Sequence, residues 1–336
     1  CGQAGPAGYA LYVISATITY RGCIVNKIAI IGAGRVGEST AQFLAQKDIS
    51  REIVLTDVRE GAAEGAALDI QQSSSLFGFD TRLRGSNCND IIIDAELVVV
   101  TAGVPRKPGM SRSDVLETNL KVLDSILDDV IKLAPDAKLM LVSNPVDTLT
   151  YHAWKMTSWD RSRIMGQAGV LDSSRMAAFV AMETGLSAKY INAMVMGGHG
   201  DSMVPMMRFT TISGIGIEHF LPAQTIDSII ERTRSGGAEI LALKKNSSAY
   251  GAPAAAIAEM VEAIAHDRKS VLPTVALLDG EYDQTDIAIG VPCILGKDGV
   301  EQVIQLDLNA EEQGYIENSV AGIREELQSR NDILAS

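Results

Sequence analysis

The chain has 336 residues, 46% hydrophobic and 21% charged, which is the composition of a soluble globular protein with room for two cores and excludes a disordered chain. A formal net charge of -13 and a pI near 4.8 exclude the basic face that nucleic-acid binding needs. No apolar run reaches membrane-spanning length, since residues 91–104 are interrupted by Asp94 and Glu96.

Four cysteines, Cys1, Cys23, Cys88 and Cys293, show neither paired nor metal-ligand spacing, so a reducing, cytoplasmic compartment and no metal site are expected. Residues 1–24 contain no Met and are expected to be an extension, either upstream translation or a loose segment, with a lipid-bearing Cys1 as the alternative.

In chain order, Lys27-Ile28-Ala29-Ile30-Ile31 reads as a strand that enters Gly32-Ala33-Gly34-Arg35-Val36-Gly37. A helix runs on to Lys47, and a second strand, Glu52-Ile53-Val54-Leu55-Thr56, ends at Asp57. In this βαβ unit Gly32 makes the tight turn, Gly34 lets backbone approach a pyrophosphate, and Gly37 lets helix and strand pack closely. Asp57, twenty positions after Gly37, suits the hydroxyls of an adenosine ribose and repels a 2′-phosphate, which favours NAD over NADP. The plain alternative for Asp57 is a capping carboxylate at a strand end. No cation is clearly placed beside it.

The run from Leu97 to Gly103 reads as a central parallel strand. Arg106-Lys107-Pro108-Gly109-Met110-Ser111-Arg112 then follows as a loop carrying two guanidinium groups at the carboxyl end of that strand, where open α/β sheets bind ligands. Two such forks suit a small dianion, although Pro105, Pro108 and Gly109 would equally mark a solvated basic turn. A long helix is expected from Ser113 to Leu133, then a strand from Lys138 to Ser143 broken by Asn144-Pro145. Asn144 sits either in a simple Asn-Pro turn or where one amide reaches both nicotinamide and substrate.

After Gly166 the texture changes. Asp172 and Arg175 stand at i and i+3 on one helix face, as a local salt bridge or as part of a site. Gly197-Gly198-His199-Gly200-Asp201-Ser202 ends an apolar run, and glycines are too small to bury the histidine they frame. The expected organisation is α/β: an extension at 1–24, a Rossmann doubly wound parallel sheet at 25–167 that binds NAD, and an α+β substrate and catalytic domain at 168–333.

With these motifs in order the sequence resembles the lactate/malate dehydrogenase family, and within it the prokaryotic lactate-dehydrogenase-like malate dehydrogenases. The match runs from Asn26 to Leu327 and includes Thr101-Ala102-Gly103, Ser143-Asn144-Pro145, Leu171-Asp172-Ser173-Ser174-Arg175, Gly236-Gly237-Ala238-Glu239 and Gly290-Val291-Pro292. The resemblance implies an NAD-dependent oxidoreductase of the tricarboxylic acid cycle that interconverts malate and oxaloacetate as a homodimer or homotetramer. By the same resemblance His199 is the proton donor and acceptor, Asp172 orients its imidazole, and Arg175 grips the carboxylate beside the reacting carbon. Arg112 polarises the carbonyl from a mobile loop, and Arg106 grips the second carboxylate. Asn144 meets substrate and cofactor, while Asn119, Val142 and Ser143 lie on the NAD side with residues 32–37 and Asp57.

The chemistry agrees, because a carbonyl oxygen gaining negative charge needs a proton and a nearby fixed cation. Lactate enzymes of the family carry Gln in place of Arg106, so Arg106 is expected to select a dicarboxylate, with another 2-hydroxy acid or an NAD-sensing module without turnover as the competing readings. Two departures stand out: Asp283 where the family has Gly, and Gly251 where it has a bulky aromatic.

Overall fold

Apolar runs bounded by turn residues become the strands of one large sheet in the computed structural model, which describes residues 25–105 and 111–335. The extension with Cys1 and Cys23, and Arg106 with the loop through Met110, lie outside the described residues. The first half runs β1 (Lys27–Ile31), α1 (Arg35–Gln46), β2 (Glu52–Thr56), α2 (Ala62–Gln72), α3 (Ser74–Phe77), β3 (Arg82–Ser86), β4 (Leu97–Val100), α4 (Arg112–Leu133), β5 (Lys138–Leu141), α5 (Val146–Thr157) and β6 (Ile164–Gly166). The second half begins with α6 (Gly169–Thr184), β7 (Ile191–Asn192), β8 (Val195–Gly197), β9 (Met203–Pro205), β10 (Thr211–Ile212) and β11 (Ile215–Gly216). It continues with α7 (Ala223–Lys244), α8 (Gly251–Ala265), β12 (Ser270–Asp279), β13 (Thr285–Gly296), β14 (Gly299–Val303) and α9 (Ala310–Ala335).

The order β3-β2-β1-β4-β5-β6 is parallel throughout and continues antiparallel through β12, β13, β8 and β9, while β11-β10-β7 form a small separate sheet. Strands β1, β4 and β5 carry almost nothing but aliphatic residues, and from Ile28, Leu97 and Leu139 onward these are buried, as expected where helices cover both faces. The chain winds from β1 outward to β3, then returns to place β4 on the other side of β1. The strand order therefore reverses between β1 and β4, and a crevice opens beyond their carboxyl ends. Helix α9 returns across the sequence to pack on α4 and α5, so the last element of the chain walls a site begun by the first.

Some boundaries differ from the sequence reading. Strands β4 and β5 stop at Val100 and Leu141. Beyond them the backbone turns to other partners: Thr101 and Ala102 both donate to the Ile31 carbonyl at 2.9 Å, and the Val104 amide donates to Asn119 Oδ1 at 2.8 Å. Arg112, read as a loop residue, is the first residue of α4. Ser111 caps that helix by accepting from the Asp114 amide at 3.0 Å, and Asp114 accepts from the Ser111 amide in return at 2.9 Å. Asp283 adopts φ 56°, the left-handed region that Gly occupies most easily and Asp tolerates better than most, so the departure from the family residue keeps the backbone turn.

Candidate active site

The glycines after β1 fit together through space. Gly32 has φ 108°, and a Cβ there would lie 2.6 Å from the Ala102 amide nitrogen; one on Gly37 would lie 1.9 Å from the Gly32 carbonyl oxygen. Helix α1 can therefore press against the turn only if both positions lack a side chain. Gly34 caps α1 with no side-chain hydrogen bond, and a Cβ there would meet open space, so the start of the helix borders the cleft uncrowded at this position. Such a terminus attracts phosphate. Gly34, Arg35, Val36 and Gly37 line a cleft of about 1080 Å³, above the range of about 300–1,000 Å³ common for small-molecule pockets.

Asp57, at the end of β2, accepts from the Ala33 amide at 2.9 Å. It also accepts from Arg59 Nε at 2.9 Å and Arg59 Nη2 at 3.0 Å. The Arg59 hydrogen bond is the main reason the Asp57 carboxyl sits below the usual carboxylate range, despite partial burial. The sequence reading placed no cation here. Arg59 fills that place because the turn after β2 folds its side chain back over a residue only two positions earlier, with Nη2 also donating to the Ala33 carbonyl at 3.2 Å.

Further along the cleft, Asn119 is 3% exposed and ties the two strand ends together, donating to the Asn144 carbonyl at 2.7 Å while its Oδ1 holds the Val104 amide. Val142, Ser143 and Asn144 form the adjoining wall, and Ser143 Oγ donates to the Ala102 carbonyl. Asn119 thus shapes this wall through its own bonds. The opposite side comes from Asn246, Ser247, Ser248 and Tyr250, the Tyr250 ring lying 5.6 Å from the Arg35 guanidinium.

At the far end three helices and a turn converge on His199. Asp172, in the first turn of α6 and 2% exposed, uses both oxygens: Oδ2 pairs with His199 Nδ1 at 2.8 Å, and Oδ1 accepts from Arg175 Nη1 at 3.0 Å. The local salt bridge and the site are therefore the same carboxylate. Arg175 Nε is buried without a partner among the described residues, so this donor is left available. Gly236 and Gly237 on α7 lie beside that side chain, where a Cβ on Gly236 would make ordinary contact with Arg175 Cδ at 3.4 Å.

Burial opposes the charged form of His199, but the Asp172 carboxylate and its hydrogen bond outweigh it, Asp147 adds to them, and Arg175 subtracts; the net movement is upward. With Nδ1 held by Asp172, Nε2 is the nitrogen left for the cleft that His199 lines. Asp147, the second residue of α5, accepts from the His199 amide at 2.8 Å.

Residues 34–37, Asn119, Asn144 and His199 thus line one crevice, Asp172 and Arg175 are bonded in series to His199, and Asp57 is bonded to the Ala33 amide of the turn. Arg112 enters only through its backbone at the start of α4, its side chain being outside the described residues, as is Arg106. Residues missed by the sequence reading are Asp147, Arg59 and the α9 wall of Glu325, Glu326 and Ser329. Asp147 lies three positions after Asn144, and that spacing was its only local signal.

Residues 26–166 match the family described as lactate/malate dehydrogenase, NAD binding domain, and residues 169–333 match the lactate/malate dehydrogenase, alpha/beta C-terminal domain. A curated malate dehydrogenase of Thioalkalivibrio sulfidiphilus is 67% identical over 303 residues, 90% of this chain and 99% of that protein. The solved malate dehydrogenase of Salinibacter ruber superposes with a TM-score of 0.88 at 39% identity, covering 92% of this chain and 99% of the other. The lactate dehydrogenase of Cryptosporidium parvum, solved with lactic acid and nicotinamide adenine dinucleotide, reaches a TM-score of 0.87 at 35% identity over 90% and 97% of the two chains. This chain belongs to the lactate/malate dehydrogenase family.

Proposed function

We infer that the chain is an NAD-dependent malate dehydrogenase, reversibly converting malate and NAD to oxaloacetate and NADH. The observation that carries the chemistry is the Asp172 carboxylate bridging His199 and Arg175, which joins a protonatable ring to an anion-binding fork inside one buried cluster. The 67% identity to a malate dehydrogenase over 90% of the chain supports the substrate.

NAD fits the cleft: the uncapped N-terminus of α1 takes the pyrophosphate, Asp57 the adenosine ribose, and the Val142, Ser143, Asn144 and Asn119 wall the nicotinamide end. When bound, the cofactor supplies the electron-pair acceptor for malate oxidation. The protein's part is to move the proton and hold the charges. His199 Nε2 takes the hydroxyl proton of malate and returns it to the carbonyl oxygen of oxaloacetate, while Asp172 stabilises the imidazolium. Arg175 binds the carboxylate next to the reacting carbon; its planar fork pairs bidentately, which Lys cannot do. Asn144 contacts substrate and cofactor together. We assign the carbonyl-polarising cation to Arg112 and the second carboxylate to Arg106. An unpaired buried guanidinium costs roughly 3–5 kcal/mol, so Arg106 should set oxaloacetate above pyruvate by on the order of 10²–10³.

We further propose a homodimer or homotetramer, supported by the exposed Leu68, Leu76 and Phe77 on α2 and α3, at 60%, 85% and 58% accessibility. Light scattering on the purified chain measures that state, a monomer being the contrary result. The proposed compartment is the cytoplasm, in keeping with the free thiols of Cys88 and Cys293. Among the described residues no helix is long and apolar enough to cross a membrane. Steady-state kcat/KM for oxaloacetate and pyruvate on one preparation tests the reading; equal values would remove the dicarboxylate preference.

A further inference from the structure

Asp147 is an acid in the first turn of a helix, a position usually open to water, yet it is 4% exposed. The first eight residues of α5, from Val146 to Ala153, are all buried, so this helix starts inside the protein. Oδ2 accepts from the His199 amide at 2.8 Å, and Oδ1 is buried without a partner among the described residues. A buried carboxylate with one oxygen unsatisfied is costly, and its surroundings are mixed in sign. His199 faces it from the turn after β8, Asp172 from α6 and Glu326 from α9, one group that can be positive and two acids. The histidine is thus held twice, its ring by Asp172 and its backbone by Asp147. The glycines on either side offer no side chain for this, and the neighbouring Gly198 amide is tied separately to Ser319 Oγ at 2.7 Å.

We propose that Asp147 is a positioning residue for His199 whose carboxyl gives up its proton as His199 gains one, so that the buried cluster changes little in charge as the reaction runs. The inference rests on His199 being the acid/base. In malate oxidation the hydroxyl proton goes to His199 Nε2, and the Asp147 proton leaves for solvent through the cleft that Asp147 borders. In the reverse direction a solvent proton returns to Asp147 as His199 gives up its own. The ionised carboxyl then grips the His199 amide most tightly when the imidazolium is present. Burial, together with repulsion from Glu326 and Asp172 and against the pull of His199, pushes the Asp147 carboxyl up to about 7, where such an exchange needs little driving.

Asp147→Asn keeps an acceptor for the His199 amide but has no proton to exchange. Removing a carboxylate that favours the imidazolium should move the pH midpoint of oxaloacetate reduction downward. Above the wild-type midpoint kcat/KM should fall about threefold to tenfold, with KM for NADH unmoved. In single-turnover malate oxidation followed with a pH indicator, the wild type should release its proton in step with NADH formation and Asp147→Asn only later, with product departure. An unmoved midpoint, or the same release timing in both proteins, overturns the proposal. Should the variant not fold, wild-type enzyme labelled with [13C]aspartate decides: one carboxyl should titrate near 7, and none doing so above about pH 6 overturns it. His199→Asn separates the two levels, since near-normal turnover there would sink the acid/base assignment itself.

Discussion

Replacing Asp57 with Ser should do more than weaken NADH, because the cation that could accept a 2′-phosphate is already in place. In the folded protein Arg59 spends Nε and Nη2 on the Asp57 carboxylate, at 2.9 and 3.0 Å. Two unit charges about 4 Å apart interact by about 4 kcal/mol at an effective dielectric near 20. Neutralisation by Arg59 and solvent around a guanidinium whose side chain is 64% exposed remove about half of that, leaving about 2 kcal/mol against NADPH. Asp57→Ser abolishes this repulsion and releases Arg59, which adds about 1 kcal/mol for an exposed ion pair with the phosphate. The total of about 3 kcal/mol corresponds to a change of about 150-fold in the ratio of kcat/KM for NADH to that for NADPH. The assay is initial rates with each coenzyme at saturating oxaloacetate, on the wild type, Asp57→Ser, and Asp57→Ser with Arg59→Ala. A ratio unmoved by the single change would place the adenosine contact elsewhere. A double variant identical to the single would deny Arg59 its part.

Arg106→Gln should lower kcat/KM for oxaloacetate and raise that for pyruvate, shifting their ratio by on the order of 10²–10³; an unchanged ratio would mean another residue reads the second carboxylate. Because the His199 pKa is held above its ordinary value, reduction kcat/KM should fall as pH rises through that pKa while malate oxidation rises over the same window. Asp172→Asn should move both midpoints to lower pH and His199→Asn should cost on the order of 10²–10⁴ in turnover, whereas the same sign of pH dependence in both directions would contradict the assignment. Gly37→Ala drives a methyl to 1.9 Å from the Gly32 carbonyl, which should cost about 3 kcal/mol and lower Tm by about 6–12 °C with loss of NADH binding. Thermal melts with and without NADH check it.

Strands β1, β2, β4 and β5 were legible because their information is local: each is a short aliphatic run, and the Gly32-to-Gly37 motif states its own packing requirement. Strand β3, Arg82-Leu83-Arg84-Gly85-Ser86, has no such run, and β6 has only three residues, so neither was legible. The α4 boundary was misplaced by one residue for a different reason. Ser111 and Asp114 form a reciprocal cap that begins the helix at Arg112, whereas Pro108 and Gly109 drew the loop reading onward past it. Gly251 remains a residue whose choice nothing in the structure explains, since a Cβ there would meet open space.

The site was legible where one motif supplies one role, and illegible where two elements distant in sequence share a charge. Asp172, Arg175 and His199 announce themselves by spacing and by flanking glycines. Asp147 does not, since an acid in a first turn reads as a complement to the helix dipole. Only the burial of α5 beneath α9 turns it into a titrating neighbour of His199. The α9 wall is invisible for the same reason: Glu326 is 179 residues beyond Asp147, the carboxyl whose surroundings it helps set. Local motifs thus give the side chains that we assign to substrate, while the buried neighbours of His199 come from long-range packing. It follows that substitutions on the buried faces of α5 and α9 should move pH midpoints with little effect on coenzyme choice, and substitutions around Asp57 and Arg59 should do the reverse.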